Sequence, residues 1–274
     1  MLLEKTAKSK SVWTNQGGSV ENSGMIHVDD ILSTIAPIQH ELNLNLSDNL
    51  LGSAGKRLFS GDIDVAVSNT IDKEKLIYSL KNSDNVFSVR GKSPISTLVK
   101  IHSNDTSVYQ NVPYTGYVQV DFMFGNPKWL KVYYHSPSET ESRYKGTYRN
   151  MLMSSICANL DKKEKFIDNN FKYISRYKWS PANGLTRVIR IHEYDKNRKV
   201  YKKKHMDYAV SPEYMNENEI VNILRIGSQE SLDSFETLIS DIRKSYDTKL
   251  VNTIIEDFTN SLHKKNMRIP EEIR

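Results

Sequence analysis

The sequence predicts an α/β (α+β) chain: a mixed, strongly twisted sheet with helices on one face, followed by a basic hairpin and a helical C-terminal region. Three observations carry that expectation. Short apolar runs of strand length recur between residues 48 and 134, with capped helical segments among them. Two β-rich stretches flank Asp195-Lys196-Asn197, a turn signal. From Ser211 onward, apolar residues return at helical spacing.

The elements follow in order. Residues 1–25 are rich in Ser, Asn, Gly and Lys without a sustained period and read as an irregular arm. Ile31, Leu32, Ile35, Ile38 and Leu42 mark a helix over 26–42 that Pro37 should kink. A strand from Asp48 to Leu51 runs into Gly52-Ser53, one helical turn follows over Lys56–Phe59, and a strand opens at Asp62 and ends near Val67. Asp72 is a good N-cap for a helix through Leu80. Strands are expected at Val86–Arg90, Ser96–His102, Tyr117–Phe124 and Trp129–Tyr134. Ser138 and Glu141 fit a capping box for a helix to about Leu160. Leu185–Tyr194 and Lys199–Val210 should pair as a hairpin, and helices follow at Glu217–Ile226, Leu232–Tyr246 and Lys249–His263. The composition shift places a boundary between an α/β part, 26–162, and a basic, then helical, part, 163–274.

The single cysteine, Cys157, excludes an intrachain disulfide and any zinc site built on several thiolates; its apolar setting suggests a buried thiol. No run has signal-peptide character or membrane-span length, so no membrane partner and a cytoplasmic location are expected. The net charge of +5 leans weakly toward an anionic partner. Its distribution says more: between Lys172 and Lys204 stand eleven Lys/Arg against two acidic residues, Glu193 and Asp195.

The most informative stretch is residues 51–67. Gly52-Ser53 begins a polar, Gly-containing turn, and Asp62-Ile63-Asp64 opens the next strand. Alternate side chains of a strand share a face, so Asp62 and Asp64 point together while Ile63 enters the core. Paired carboxylates repel unless a cation lies between them, and hard oxygen ligands suit Mg²⁺ or Mn²⁺. Two-metal chemistry wants a third acid. Asp121 is the candidate, because it stands on the polar side of a strand whose other face carries Val118, Val120, Phe122 and Phe124.

Gly52-Ser53, then Ser60-Gly61-Asp62-Ile63-Asp64-Val65, then Val120-Asp121-Phe122 resemble the signature of the DNA polymerase β-like nucleotidyltransferase superfamily, over roughly residues 45–125. The resemblance implies the polymerase-β-like sheet and transfer of a nucleoside monophosphate from an NTP to an acceptor hydroxyl, with Mg²⁺ or Mn²⁺. It implies that Gly52 and Ser53 bind the β and γ phosphates, and Ser60, in the same motif, is counted with the nucleotide-binding residues. It also implies that Asp62 and Asp64 hold the metal ions, and that Asp121 binds the catalytic metal and activates the acceptor. Lys56 and Arg57 are given a phosphate role on charge and position alone. Only some fifty residues precede the turn, too few for the helix-hairpin-helix domains of X-family polymerases, and the Arg-Asp element of class II tRNA-terminus enzymes is absent. The segment Tyr144–Asn150 resembles phage-encoded proteins bearing this domain.

Several residues keep two readings at this point. Lys145 and Arg149, four apart on one helix face, either contact nucleotide or acceptor or form a solvated basic face. The hairpin with Arg198 and Lys202 either binds a nucleic-acid backbone, with Tyr194, Tyr201 and Tyr208 for stacking, or uses its lysines to protect an edge strand. His135, His192 and His205 read as surface or structural, and Trp129, Trp179 and the methionines as core. The acceptor expected first is a nucleic-acid 3′ end, a tRNA-like RNA. The alternatives are a protein side chain or small molecule, as in toxin-like relatives, and a catalytically silent nucleotide-binding or structural module.

Overall fold

A computed structural model describes residues 20–91, 93–203 and 207–274. They divide into two compact units, the first holding the residues up to Leu50 with Arg57–Phe124, the second Leu51–Lys56 with Gly125–Arg274. The chain is mixed α/β, as the sequence predicts. The division falls after Phe124, whereas the composition shift pointed to 162, because the two helices following Phe124 bury their apolar residues with the C-terminal helices.

In the first unit, β1 (Ile26–His27) and β3 (Phe59–Ser60) form a short antiparallel pair. Helix α1 (Ile31–Leu42) buries Ile31, Ile35 and Ile38 and carries Pro37 inside it; it ends at Asn43, whose left-handed conformation closes the C-terminus. The main sheet has the order β2-β4-β7-β6-β5, with β2 at Leu50–Leu51, β4 at Asp62–Ser68, β5 at Val86–Arg90, β6 at Ile95–Lys100 and β7 at Tyr117–Gly125. Helix α2 (Lys73–Lys81) starts where its cap predicts: Asp72 Oδ1 accepts from the amides of Glu74 and Lys75. Register sets the faces of β6 and β7. Ile95 opposes Phe122, Thr97 opposes Val120 and Val99 opposes Val118, all buried, while Ser96 opposes Asp121 on the other side.

Two expectations change here. Residues 20–25, read as part of an arm, are tied down, the amide of Gly24 donating to Tyr117 O (2.8 Å) and that of Val20 to Gln119 Oε1 (2.8 Å). The rest of the arm, 1–19, lies outside the described residues. No helical turn forms over 56–59: the hydrogen-bonded turn spans 53–56, Lys56 N donating to Ser53 O at 3.1 Å, and Phe59 enters β3.

In the second unit the expected strand at Trp129–Tyr134 is helix α3 (Pro127–Tyr133). Asn126 Oδ1 caps it and Pro127 occupies its first turn, so the entry signal overrides β-favouring side chains. The Ser138 amide and hydroxyl both donate to Glu141 Oε2, which is half of the expected capping box, but no helix follows them; α4 begins at Gly146 and ends at Asn159. Gly146 is required there. A Cβ on it would lie 2.1 Å from His135 O, a backbone atom that cannot swing away. Gly146→Ala should therefore destabilise the protein by about 1–3 kcal/mol, read as a lowered urea midpoint.

A coiled antiparallel sheet follows with the order β11-β10-β9-β8 and β12 beside β10. Its strands are β8 (Lys163–Phe166), β9 (Phe171–Ser180), β10 (Gly184–Asp195), β11 (Val200–Lys203) and β12 (Tyr208–Ala209). The hairpin around Asp195-Lys196-Asn197 is as expected, Asp195 opposing Val200. Strands β8 and β9 carry too little apolar alternation to read from sequence; β9 is held by a ten-residue register with β10. Helices α5 (Glu217–Leu224), α6 (Phe235–Ser245) and α7 (Thr248–Lys264) match their predicted positions to within a few residues. Their apolar faces join α3 and α4 in one core around Trp129, Leu152, Ile156, Trp179, Phe235 and Phe258. Trp129 and Trp179 meet edge to face at 5.0 Å, and Cys157 is fully buried beside them in that core.

Candidate metal centre

The pleat of β4 points Asp62 and Asp64 to one side, half-buried, while Ile63 and Val65 are fully buried on the other. Asp121 comes from β7, the next strand in the sheet. One carboxylate oxygen from each of the three lies within 4.8 Å of the others. The sequence expectation that Asp121 joins the pair is met geometrically. Crowding has its electrostatic effect: burial first, then Asp62 and Asp121, hold the Asp64 carboxyl well above the usual carboxylate range, at about 8.

Gln119 is the residue that sequence reading missed. It is buried on the Asp121 side of β7, its Nε2 donating to Asp121 Oδ2 at 2.8 Å while its Oε1 accepts from the amide of Val20. The signal was present as Gln119 and Asp121 two apart on one strand face, but only the fold shows the amide bracing the carboxylate. The other oxygen, Asp121 Oδ1, is buried and has no hydrogen-bond partner among the described residues. Three crowded hard oxygens, one unsatisfied, fit a divalent cation such as Mg²⁺ or Mn²⁺.

A titration follows from this geometry. A carboxyl raised in the folded state keeps a proton that the unfolded chain has released, so without metal the stability of the fold falls as pH rises from the ordinary carboxylate range toward about 8. Thermal melting in EDTA should show that decline. Added Mg²⁺ or Mn²⁺ should raise the melting temperature more at about pH 8 than at about pH 5, because binding requires the ionised form. A metal effect independent of pH would contradict this assignment.

The other predicted residues divide between the units. In the first, Ser60 and Arg57 are buried, Ser60 completely. In the second, Gly52 adopts the left-handed conformation that favours glycine (φ 65°), and its amide donates to Tyr134 O at 3.1 Å. The Ser53 turn is thereby anchored to the segment after α3. Lys56 Nζ donates to Ser136 O at 2.9 Å, and burial lowers its pKa, Glu141 opposing and Arg149 reinforcing. His135, bridged to Gly52 through its backbone, is held neutral, its pKa lowered to about 4 by burial and then by Lys56 and Arg149.

Arg149 belongs to neither of its two sequence readings, being 1% exposed. Its guanidinium donates to the carbonyls of Val132, Tyr133 and Leu232 at 2.6–2.7 Å, joining α3, α4 and the turn before α6. Lys145 is the N-cap residue of α4. Arg198 is exposed in the β10–β11 turn, whereas Lys202 is ion-paired with Asp195. Tyr194 and Tyr201 are directly opposed, but Tyr208 pairs with Ile189 and so falls on the other face. His192 is half-buried, and His205 lies outside the described residues.

Among the described residues no helix is long and apolar enough to cross a membrane. No protein-family model matches the chain, and no curated protein matches it, so its function is argued from these residues alone.

Proposed function

We propose that the chain is a metal-dependent nucleotidyltransferase with a polymerase-β-like catalytic sheet, moving a nucleoside monophosphate from an NTP to an RNA 3′ hydroxyl. The observation that carries this reading is the convergence of Asp62, Asp64 and Asp121 from adjacent strands, with Asp121 Oδ1 left unsatisfied. The three aspartates would hold Mg²⁺ or Mn²⁺, which when bound neutralises triphosphate charge and favours the ionised acceptor hydroxyl.

In the reaction the acceptor oxygen attacks the α-phosphorus, the bond to the α,β-bridging oxygen breaks, and pyrophosphate leaves. Asp121 takes the acceptor's proton on Oδ1, while Gln119 holds Oδ2 and fixes the carboxylate plane. Gly52 and Ser53 serve the triphosphate.

Incubation with α-phosphate-labelled NTPs, Mg²⁺ and total RNA or total protein tests the reading. Label is expected in RNA and absent with the Asp62→Ala, Asp64→Ala double variant. Label on protein alone would move the acceptor to a side chain, and no transfer by the folded protein with any NTP would reject the enzyme.

A further inference from the structure

The second unit carries aromatic side chains that its core does not use. Cross-strand register places Phe166 of β8, Lys172 of β9, His192 and Tyr194 of β10, and Tyr201 of β11 on one face of the coiled sheet. Phe166 and Tyr201 come from opposite edges of that sheet, yet their rings are 5.7 Å apart, so the sheet curls toward this face. Tyr194 lies 5.1 Å from Tyr201, and the Lys172 ammonium sits over the Tyr201 ring at 5.1 Å. Rings that met only to form a small core would be covered, but Phe166 is 62% exposed and the adjoining Ile167 59%.

The surrounding charge is strongly of one sign. Residues 163–203 contain twelve Lys/Arg against four Asp/Glu. Part of the excess is neutralised near the core, where Asp207 holds Arg190 at 2.6 Å with Arg176 and Lys178 near it. Lys196, Arg198 and Lys199 of the β10–β11 turn and Lys203, which opposes His192 on the ring-bearing face, are exposed; Lys163 and Lys165 alternate to the other face, and Lys172 is also paired with Glu164. Exposed rings for base stacking among lysines for phosphates match a single-stranded polynucleotide; a duplex hides its base faces.

We propose that this face, built on Phe166, Lys172, Tyr194 and Tyr201, docks single-stranded RNA. Only the choice of RNA rests on the transfer reaction proposed above. The full chain, titrated into a fluorescent oligouridylate of about twelve nucleotides, should bind it at least about tenfold more tightly than duplex RNA of the same length. Phe166→Ala should weaken that binding about fivefold to a hundredfold without lowering the melting temperature, and Phe166→Trp should preserve it. Replacing Lys196, Arg198 and Lys199 together with alanine should flatten the salt dependence.

Equal affinity for duplex, no binding of the single strand, or unchanged binding by Phe166→Ala would each overturn the proposal. So would loss of binding in Phe166→Trp if Phe166→Ala proved poorly folded. The Asp62→Ala, Asp64→Ala variant separates the two proposals, since it should bind the oligonucleotide as the parent does. Binding without any transfer to RNA would reject the enzyme and keep the docking face, and transfer to RNA without binding at this face would do the reverse.

Discussion

Asp64→Asn is expected to reduce nucleotidyl transfer by about a thousandfold or more and, at about pH 8, to raise the melting temperature of the metal-free protein. Both effects come from one position. The ionised form of Asp64 is opposed by burial and by Asp62 and Asp121. Asparagine keeps the shape and removes the charge, so the repulsion disappears together with the cation ligand. A merely structural aspartate would behave differently, because its loss leaves hydrogen-bond donors stranded and lowers stability. The check is a pair of measurements on one sample: transfer of label from NTP, and thermal melting in EDTA with and without added Mn²⁺. The variant should also lose the stabilisation by metal. Activity retained within tenfold, or a melting temperature below that of the parent, would remove Asp64 from the site.

The largest stability effect is expected at Arg149. Arg149→Met should cost about 3–5 kcal/mol in urea unfolding. Methionine fills much of the volume, so the loss comes from polar groups. Without the guanidinium, the carbonyls of Val132, Tyr133 and Leu232 lose their donors, that of Leu232 in a buried place and the other two in a half-buried one. Arg149→Lys should fall between the two, since a single ammonium cannot span three carbonyls held by separate segments. Burial, its largest cause, already lowers the guanidinium pKa to about 10, yet it stays charged at neutral pH. Its charge is balanced by carbonyl dipoles and by the more distant Glu217 and Asp233.

These two positions show which parts of the molecule were legible in the sequence. Asp62, Asp64 and Asp121 are visible because strand pleating is a local rule, and alternation in β4 and β7 states which side chains share a face. The cap at Asp72 is visible for the same reason. Arg149 is not, because its partners are a helix end and a turn far along the chain, and nothing within four residues distinguishes it from a surface arginine. Trp129–Tyr134 reads as a strand because aromatic and branched side chains favour strands, yet the Asn126-Pro127 entry outweighs them and the segment is helical. Strand β9 needed β10 to exist, since lysines and tyrosines alternate there without a clear apolar side. Gln119 shows the remaining gap: its position was legible, its brace against Asp121 was not.

The meeting of Trp129 and Trp179 has an optical consequence. Each indole N–H is bonded inside the second unit, to Ser180 O and Asn150 Oδ1, and the Tyr133 ring stacks on Trp179 at 5.4 Å. The described residues of the first unit contain no tryptophan. In a Trp13→Phe background, ultraviolet emission excited in the indole band would therefore arise from the second unit alone. Denaturation followed by that emission and by far-ultraviolet ellipticity would give coincident curves if the units melt together. Separated curves would resolve two transitions in the ellipticity, the one shared with the emission belonging to the second unit and the other to the first.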